Sequence, residues 1–422
     1  MFRFLQGRLL TVRLIMLGAA GALICVGIAV IYASGHPAER AEPFAEYAGL
    51  WKKQLVFACV GFAGLAAVNF FSYRRLGPVS YWVYGGVLGL LAVLLLDKFV
   101  DLPFVPVINY SRRWLLIGTE SRSLGQMQPS ELCKLAYIVA LAWYLRFRSN
   151  YRKFTALVGP FVLTVVPMLL ILMEPDLGTV LLMMPVLFTM VFVAGAKVKH
   201  LLMIILMAVL VSPVMWHFMH SYQRMRITSV FLQNEGIFKM AEKYPKLAEI
   251  LAGDRRNLKT WQRDHGFQLM QSKCAIGSGG VNGYGYRKGP YLRYSRDVSL
   301  PERHNDFIFA IIAQQWGFVG CVIVLGLYTV IIACGLEIAT ANTDPFARLI
   351  SIGIVAMFAV EVLVNVSMTL GLMPITGLTL PLVSYGGSSL VVSMLGIGLL
   401  NNVGSRRPFT VAGKGFDREE SY

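Results

Sequence analysis

Apolar runs close to twenty residues long recur along this chain, and a repeat of that length constrains the fold more than any other feature. The hydrocarbon core of a bilayer takes about 20 helical residues to cross. Runs of this kind occupy about 14–33, 53–71, 79–97, 129–146, 154–173, 177–195, 199–219, 305–335, 346–370 and 380–402. The first, from about Leu14 to Ala33, follows Arg3, Arg8 and Arg13. It exceeds the ~7–15-residue core of a cleaved signal peptide, so it reads as a retained span. Apolar residues make up 56% of the 422 and charged residues only 15%, with a mean hydropathy of +0.60. The expectation is an all-α integral membrane protein of about ten transmembrane helices. It forms one polytopic domain over 1–422, with a large loop at about 220–304 between helices 7 and 8 and a short tail at about 404–422.

Charge places the ends. Arg74/Arg75, Arg146/Arg148/Arg152/Lys153, Lys197/Lys199 and Arg406/Arg407 fall at one set of span ends together with the N-terminal arginines. By the positive-inside rule both termini are then cytoplasmic, and the large loop is extracytoplasmic. The formal net charge of +16 could suggest nucleic acid, but the basic residues are dispersed between spans. A membrane surface, or an anionic substrate at one, explains them better. Five cysteines (Cys25, Cys59, Cys133, Cys321 and Cys334) lie in apolar runs, leaving Cys274 in the loop. No disulfide framework or metal-ligand spacing follows.

At the water–membrane boundary before the eighth run stands SLPERHNDFIFAIIA, Ser299 to Ala313. Glu302, Arg303, His304 and Asp306 crowd into five positions and an uncharged helix follows. Ionisable groups at the mouth of a span are functional candidates; the plainer reading makes them interfacial anchors, with Asp306 an ordinary N-terminal acid. Other breaks in the apolar pattern are Arg112-Arg113-Trp114, QPSELCK opening the fourth run, EPDLGT at Glu174–Thr179, and PLVSYGGSS at Pro381–Ser389. Glu131 and Lys134 stand three apart on one helical face, as an internal ion pair or a ligand site. The span count puts all of these near the extracytoplasmic interface, the arrangement of an outward-facing pocket. A transporter would favour polar groups near the midplane, where Glu361 and Asn365 are the best-placed candidates.

The loop carries about fifteen Lys/Arg against about eight Asp/Glu between 224 and 306. Much of 239–263 reads as a solvated, helix-like surface. Arg224 and Arg226, at the end of a span, suit a phosphate or diphosphate at headgroup level. GSGGVNGYGYRKG, Gly277 to Gly289, lets the backbone approach a ligand or form a reentrant or surface turn; it is no P-loop.

Together RRW, QPSELCK, EPDLGT, YQRMRI, QSKCAIGSGG, LPERHNDFIFA and GLMPITGLTLPLVSYGGSS resemble the SEDS family of peptidoglycan polymerases, in family order over nearly the whole chain. PERHND and QSKCAIGSGG are closer to the elongation (RodA) type, GLTLPLVSYGGSS to the division (FtsW) type. Glu174, Asn305, Cys274 and an insertion around 236–262 depart from the family pattern. The resemblance implies a ten-helix glycosyltransferase of the bacterial cytoplasmic (inner) membrane. It would polymerise lipid II by inverting hexosyl transfer, with undecaprenyl diphosphate leaving. Its partners would be a class B penicillin-binding transpeptidase and other elongation-complex membrane proteins, with no nucleic acid. Carried over by position, Asp306 is the catalytic carboxylate. Arg226, Arg303, His304, Glu302, Trp114, Arg113, Glu131, Lys134, Asp176 and Ser384 are the candidate substrate-binding residues, with Arg226 and Arg303 foremost for the diphosphate and His304 the second choice of base. No cofactor follows firmly; a divalent cation (Mg or Mn) assisting the diphosphate is the alternative, with no ligand cluster visible. Competing functions are a division-type polymerase, a lipid II flippase and a non-catalytic scaffold.

Overall fold

The computed structural model describes residues 2–38, 44, 47–97, 100, 104–106, 113–119, 122–146, 154–174, 176–218, 221–263, 265–292 and 300–406. Arg112, Arg148, Arg152, Lys153, Pro175 and Arg407 lie outside the described residues. Three helices come first: α1 (Phe2–Gly35), α2 (Leu50–Phe70) and α3 (Tyr73–Leu96). A hairpin of β1 (Leu115–Thr119) and β2 (Arg122–Met127) leads into α4 (Pro129–Leu145). Then follow α5 (Val158–Met173), α6 (Leu177–Val193), α7 (Val198–Phe218), and five shorter helices: α8 (Ser221–Leu232), α9 (Glu235–Lys243), α10 (Pro245–Ala252), α11 (Arg255–Arg263) and α12 (His265–Ser278). The chain closes with α13 (Ile308–Ala341), α14 (Pro345–Thr369) and α15 (Gly387–Ser405).

Each apolar run of the sequence therefore carries a helix, and among the described residues seven helices are long and apolar enough to cross a membrane. The 17-residue α6 and the 198–210 part of α7 are apolar but shorter, and the 17-residue α4 carries Glu131 and Lys134. Burial sorts the long helices. In α14 78% of the apolar window is buried and in α15 72%, against 17% in α2, so α14 and α15 form the centre and α2 the flank. Residues such as Phe70 and Trp82 then project outward, where lipid tails solvate them as well as a protein core would.

Starts and stops follow local chemistry. Asp344 caps α14 through the Phe346 N–H at 3.0 Å, with Pro345 in the first turn, where a missing N–H costs nothing. Pro129 opens α4 the same way. At the far end of α15, Asn402 donates to the carbonyls of Val68 and Phe71 at 2.7 and 2.6 Å, clasping the turn between α2 and α3. The antiparallel hairpin, with Leu115 opposite Met127, was not legible as strands. It rests on a small cluster of Leu94, Val105 and Leu115.

The glycine-rich segment takes a structural part. Helix α13 breaks at Gly317 (φ 61°, ψ −159°), a conformation costly for a residue with a Cβ. Backbone groups freed by such a break need partners inside the protein. The segment supplies them: Phe318 and Val319 N–H donate to the Gly280 and Val281 carbonyls (2.9 and 3.1 Å), and Tyr284 and Gly285 N–H donate to those of Gln314 and Gln315 (3.0 and 2.9 Å). A Cβ on Gly283 would collide with the Gln315 carbonyl. The 239–263 stretch also differs from a purely solvated surface. Lys243, Lys246 and Lys259 are exposed, but Leu232, Ala241, Ala252, Leu258 and Trp261 form a separate small core. Trp261 Nε1 donates to Ser229 Oγ at 2.9 Å within it.

If this clasp holds α13 open, Gly283→Ala lowers the melting temperature in detergent and the yield of folded protein. Gly326→Ala, in the same helix with open space around it, leaves both unchanged or slightly improved. Equal melting of the two variants contradicts the clasp.

Candidate active site

Residues 301–307 form the turn that delivers α13. Glu302 sits at φ +50°, so the chain doubles back. Its carbonyl accepts from the Asn305 and Phe307 N–H groups at 3.0 and 3.3 Å, and its carboxylate accepts from Asn305 Nδ2 at 2.7 Å. A non-glycine residue in the left-handed region persists only where its surroundings over-determine it. They do so here, because three successive carbonyls of the turn are held from outside. That of His304 accepts from Tyr385 N–H at 2.9 Å, that of Asn305 from Ser384 Oγ at 2.7 Å, and that of Asp306 from Asn365 Nδ2 at 3.0 Å.

Asp306 is the group on which the charges converge. The residue is half-buried, and protein atoms crowd its carboxyl enough that burial leads the causes raising its pKa to about 7. The carboxylates of Glu302 and Asp176 push the same way, and the guanidinium groups of Arg226 and Arg113 oppose them. The structure thus brings together Asp306, Glu302, Asp176, Arg226 and Arg113, from the turn, the start of α6, α8 and the segment before β1. Arg113 Nε is buried without a hydrogen-bond partner among the described residues. Trp114 lies partly buried beside it at the foot of β1.

The sequence constellations at this end are joined to one another. Asp176 caps α6 through Thr179 N–H at 3.3 Å and also accepts from Thr179 Oγ1 at 2.9 Å, Ser130 Oγ at 2.9 Å and Gln128 Nε2 at 3.3 Å. Gln128 N–H in turn donates to Ser388 Oγ at 2.9 Å. Asp176 therefore ties α4 to α6 while projecting its charge toward Asp306.

Five candidates, Arg303, Ser384, Lys134, Glu131 and His304, are engaged within the protein. Arg303 is 1% exposed. Its guanidinium donates to the carbonyls of Ser34, Leu292 and Tyr291 at 2.9, 3.2 and 3.4 Å, between the rings of Phe44 and Tyr47. It pins the turn to the end of α1 and is withdrawn from any diphosphate. Ser384 Oγ accepts from Leu380 N–H at 2.8 Å while donating to the Asn305 carbonyl, so its proton is spent on the turn. Lys134 lies 2.7 Å from Glu131 and 2.5 Å from Glu361, all three almost wholly buried. Its second partner is thus Glu361 of α14, and the triad binds α4 to α14. His304 packs between Tyr47 and Tyr385. Burial and then the Arg303 charge push its pKa down to about 4, so it is neutral near pH 7.

Glu361 and Asn365, set apart as transport candidates, are both bound within the protein, to Lys134 and to the Asp306 turn. The signal was present: an acid inside an apolar helix requires a cation on a neighbour, and Lys134 was the lysine placed in an apolar run. Gln314 and Gln315 were missed because in a helix of 34 residues they read as incidental; both are fully buried at the break. Among the described residues no three His, Cys, Asp or Glu side chains are grouped as metal ligands.

Comparison with known proteins agrees with this geometry. The FtsW/RodA/SpoVE family, described as cell cycle protein, matches residues 13–408. This chain belongs to that family. It is 31% identical over 433 residues to "Peptidoglycan glycosyltransferase RodA" of Treponema pallidum, covering 92% of this chain and 96% of the relative. It is 30% identical over 401 residues to "Probable peptidoglycan glycosyltransferase FtsW" of Geobacter metallireducens, covering 93% and 94%. A solved structure described as "Structural coordination of polymerization and crosslinking by a peptidoglycan synthase complex" has a chain similar to this one at a TM-score of 0.69 and 30% identity, over 92% of this chain and 96% of that one. FtsW/RodA/SpoVE relatives of both names thus match at nearly equal identity, and the chain is a multi-pass membrane protein of their fold.

The buried triad gives a test independent of function. Lys134→Met leaves two buried carboxylates without their cation and destabilises by about 3–5 kcal/mol. Adding Glu131→Gln and Glu361→Gln restores most of the melting temperature, since no buried charge remains. Lys134→Met melting like wild type contradicts the triad.

Proposed function

We propose that this chain is a peptidoglycan glycosyltransferase that polymerises lipid II at the outer face of the bacterial cytoplasmic membrane. The observation that carries the reading is Asp306, a carboxylate held at the mouth of α13 with its pKa raised to about 7 and two arginines within electrostatic reach. The names of the relatives support the activity, and charge at the span ends supports cytoplasmic termini.

The donor is the growing strand, linked at its anomeric carbon to undecaprenyl diphosphate. The acceptor is a sugar hydroxyl of the next lipid II. As the hydroxyl oxygen bonds to the anomeric carbon, its proton passes to an Asp306 carboxylate oxygen. The bond to the diphosphate breaks from the opposite side, inverting the centre, and the electron pair leaves with the diphosphate. A carboxylate with a pKa near 7 is a stronger base than an ordinary one and is still substantially ionised at neutral pH. Arg113 and Arg226 are assigned to the diphosphate, where fixed guanidinium groups stabilise the developing charge. A Mg or Mn ion, if bound, would be held by the carboxylates of Asp306 and Glu302 and would supply positive charge to the departing diphosphate.

The neighbouring synthase complex supports a class B penicillin-binding transpeptidase as partner. PERHND and QSKCAIGSGG favour the elongation role over division. Against a flippase stands the engagement of Glu361 and Asn365 in interior bonds, which leaves neither lining a path.

Purified protein given lipid II in detergent should make glycan, and Asp306→Asn, nearly isosteric, should fold yet lose about 10²–10⁴-fold in rate. Arg113→Ala and Arg226→Ala should weaken lipid II use more than Lys243→Ala, Lys246→Ala or Lys259→Ala. Arg303→Ala should instead lose folded protein. Near-wild-type glycan from Asp306→Asn overturns the assignment, and equal small losses across the arginines and lysines overturn the diphosphate site.

A further inference from the structure

Asn365 lies fully buried in α14. Its amide nitrogen donates twice, to the carbonyl of Asp306 at 3.0 Å and to that of Leu378 at 2.7 Å. An amide NH2 carries two hydrogens, so both are spent on backbone belonging to two different segments. Leu378 follows Gly377, which takes φ +77°. A Cβ at Gly377 would sit 3.5 Å from Asp306 Oδ2. The segment Asn365 holds is thus the wall that passes beside the carboxylate, and the turn it holds is the one that carries it.

We infer that Asn365 is a positioning residue for the general base, fixing the separation between the Asp306 carboxylate and the 377–378 wall. The inference rests on Asp306 being the base. Removing the amide strands two carbonyls in a water-poor interior, and the cheapest relief is for turn and wall to separate and admit water. The carboxylate then shifts relative to the acceptor hydroxyl, and displacement by about 1 Å costs about 10²-fold in rate. Better solvation also makes the acid easier to ionise. The other charges facing Asp306 stay in place: Glu302 on its own turn, Arg226 on α8, Asp176 at the start of α6 and Arg113 before β1. None of them is a hydrogen-bond partner of the Asn365 donors, which are both used elsewhere.

The test uses the full-length protein in detergent with lipid II, comparing wild type, Asn365→Leu, Asn365→Gln, Gly377→Ala and Asp306→Asn. Rates are taken per folded molecule across pH. Asn365→Leu, of similar volume without donors, should lower kcat about ten- to a hundredfold while leaving KM within about threefold. The acid limb of its profile should move to lower pH. Asn365→Gln, which keeps both donors, should recover part of the loss. Gly377→Ala puts a methyl 3.5 Å from Oδ2 on a backbone held at φ +77°, so it disturbs the same wall and should also lower kcat. If Asp306→Asn polymerises like wild type, the base assignment itself is wrong, whatever Asn365 does. If Asp306→Asn is inactive, the positioning role is overturned by Asn365→Leu keeping wild-type kcat and limb, or losing activity only in proportion to folded protein with the limb unmoved. Should Asn365→Leu not fold, Asn365→Ala, which also removes both donors, takes its place, and wild-type kcat and limb there count against the inference.

Discussion

Backbone that leaves a helix inside a membrane protein must find its hydrogen-bond partners in the protein or in water, because lipid offers none. The structure around Asp306 is an answer to that requirement. The carbonyls of His304, Asn305 and Asp306 are met by Tyr385, Ser384 and Asn365. Eleven residues beyond Asp306, the break at Gly317 is met by the glycine-rich segment. Both ends of the first part of α13 are therefore irregular, and both are fully clasped. A short rigid helix held at two points can present a carboxylate at its mouth with little freedom, which general-base chemistry demands.

Electrostatics divides the polar interior into two kinds of site. Lys134 lies between Glu131 and Glu361, and Arg303 is wrapped by carbonyls and aromatic rings. Such charges are held by fixed partners and serve to join helices. Around Asp306 the balance differs: carboxylates of Glu302 and Asp176 raise its proton affinity while Arg226 and Arg113 oppose them. A carboxyl drawn both ways sits near the pH at which it can give and take a proton.

Helix positions were legible because a bilayer imposes a length on apolar runs, and that pattern survives without tertiary knowledge. Asp306, Asp176, Arg113 and Arg226 were legible as charges out of place beside apolar helices. Arg303 was not, since three letters away from Asp306 it looks like another cation for the substrate, and its burial comes from the approach of Ser34, Phe44 and Tyr47 from a distant part of the chain. Ser384 and Asn365 failed for the same reason: their partners are backbone carbonyls, which leave no trace in side-chain identity. The β1–β2 hairpin was hidden because SLGQM and LLIGT lack a clean alternation and contain glycine.

The central claim is that Asp306 works as a base because its surroundings raise its proton affinity. The rate of glycan formation from lipid II by purified protein, measured across pH, addresses this most directly. A base acts unprotonated, so the rate should fall as pH drops through about 7, where the Asp306 pKa lies. Glu302→Gln removes one of the charges that raise it, so that limb should move toward lower pH. A limb near 3.8, the ordinary value for an aspartate, or one that Glu302→Gln leaves in place, would contradict the account.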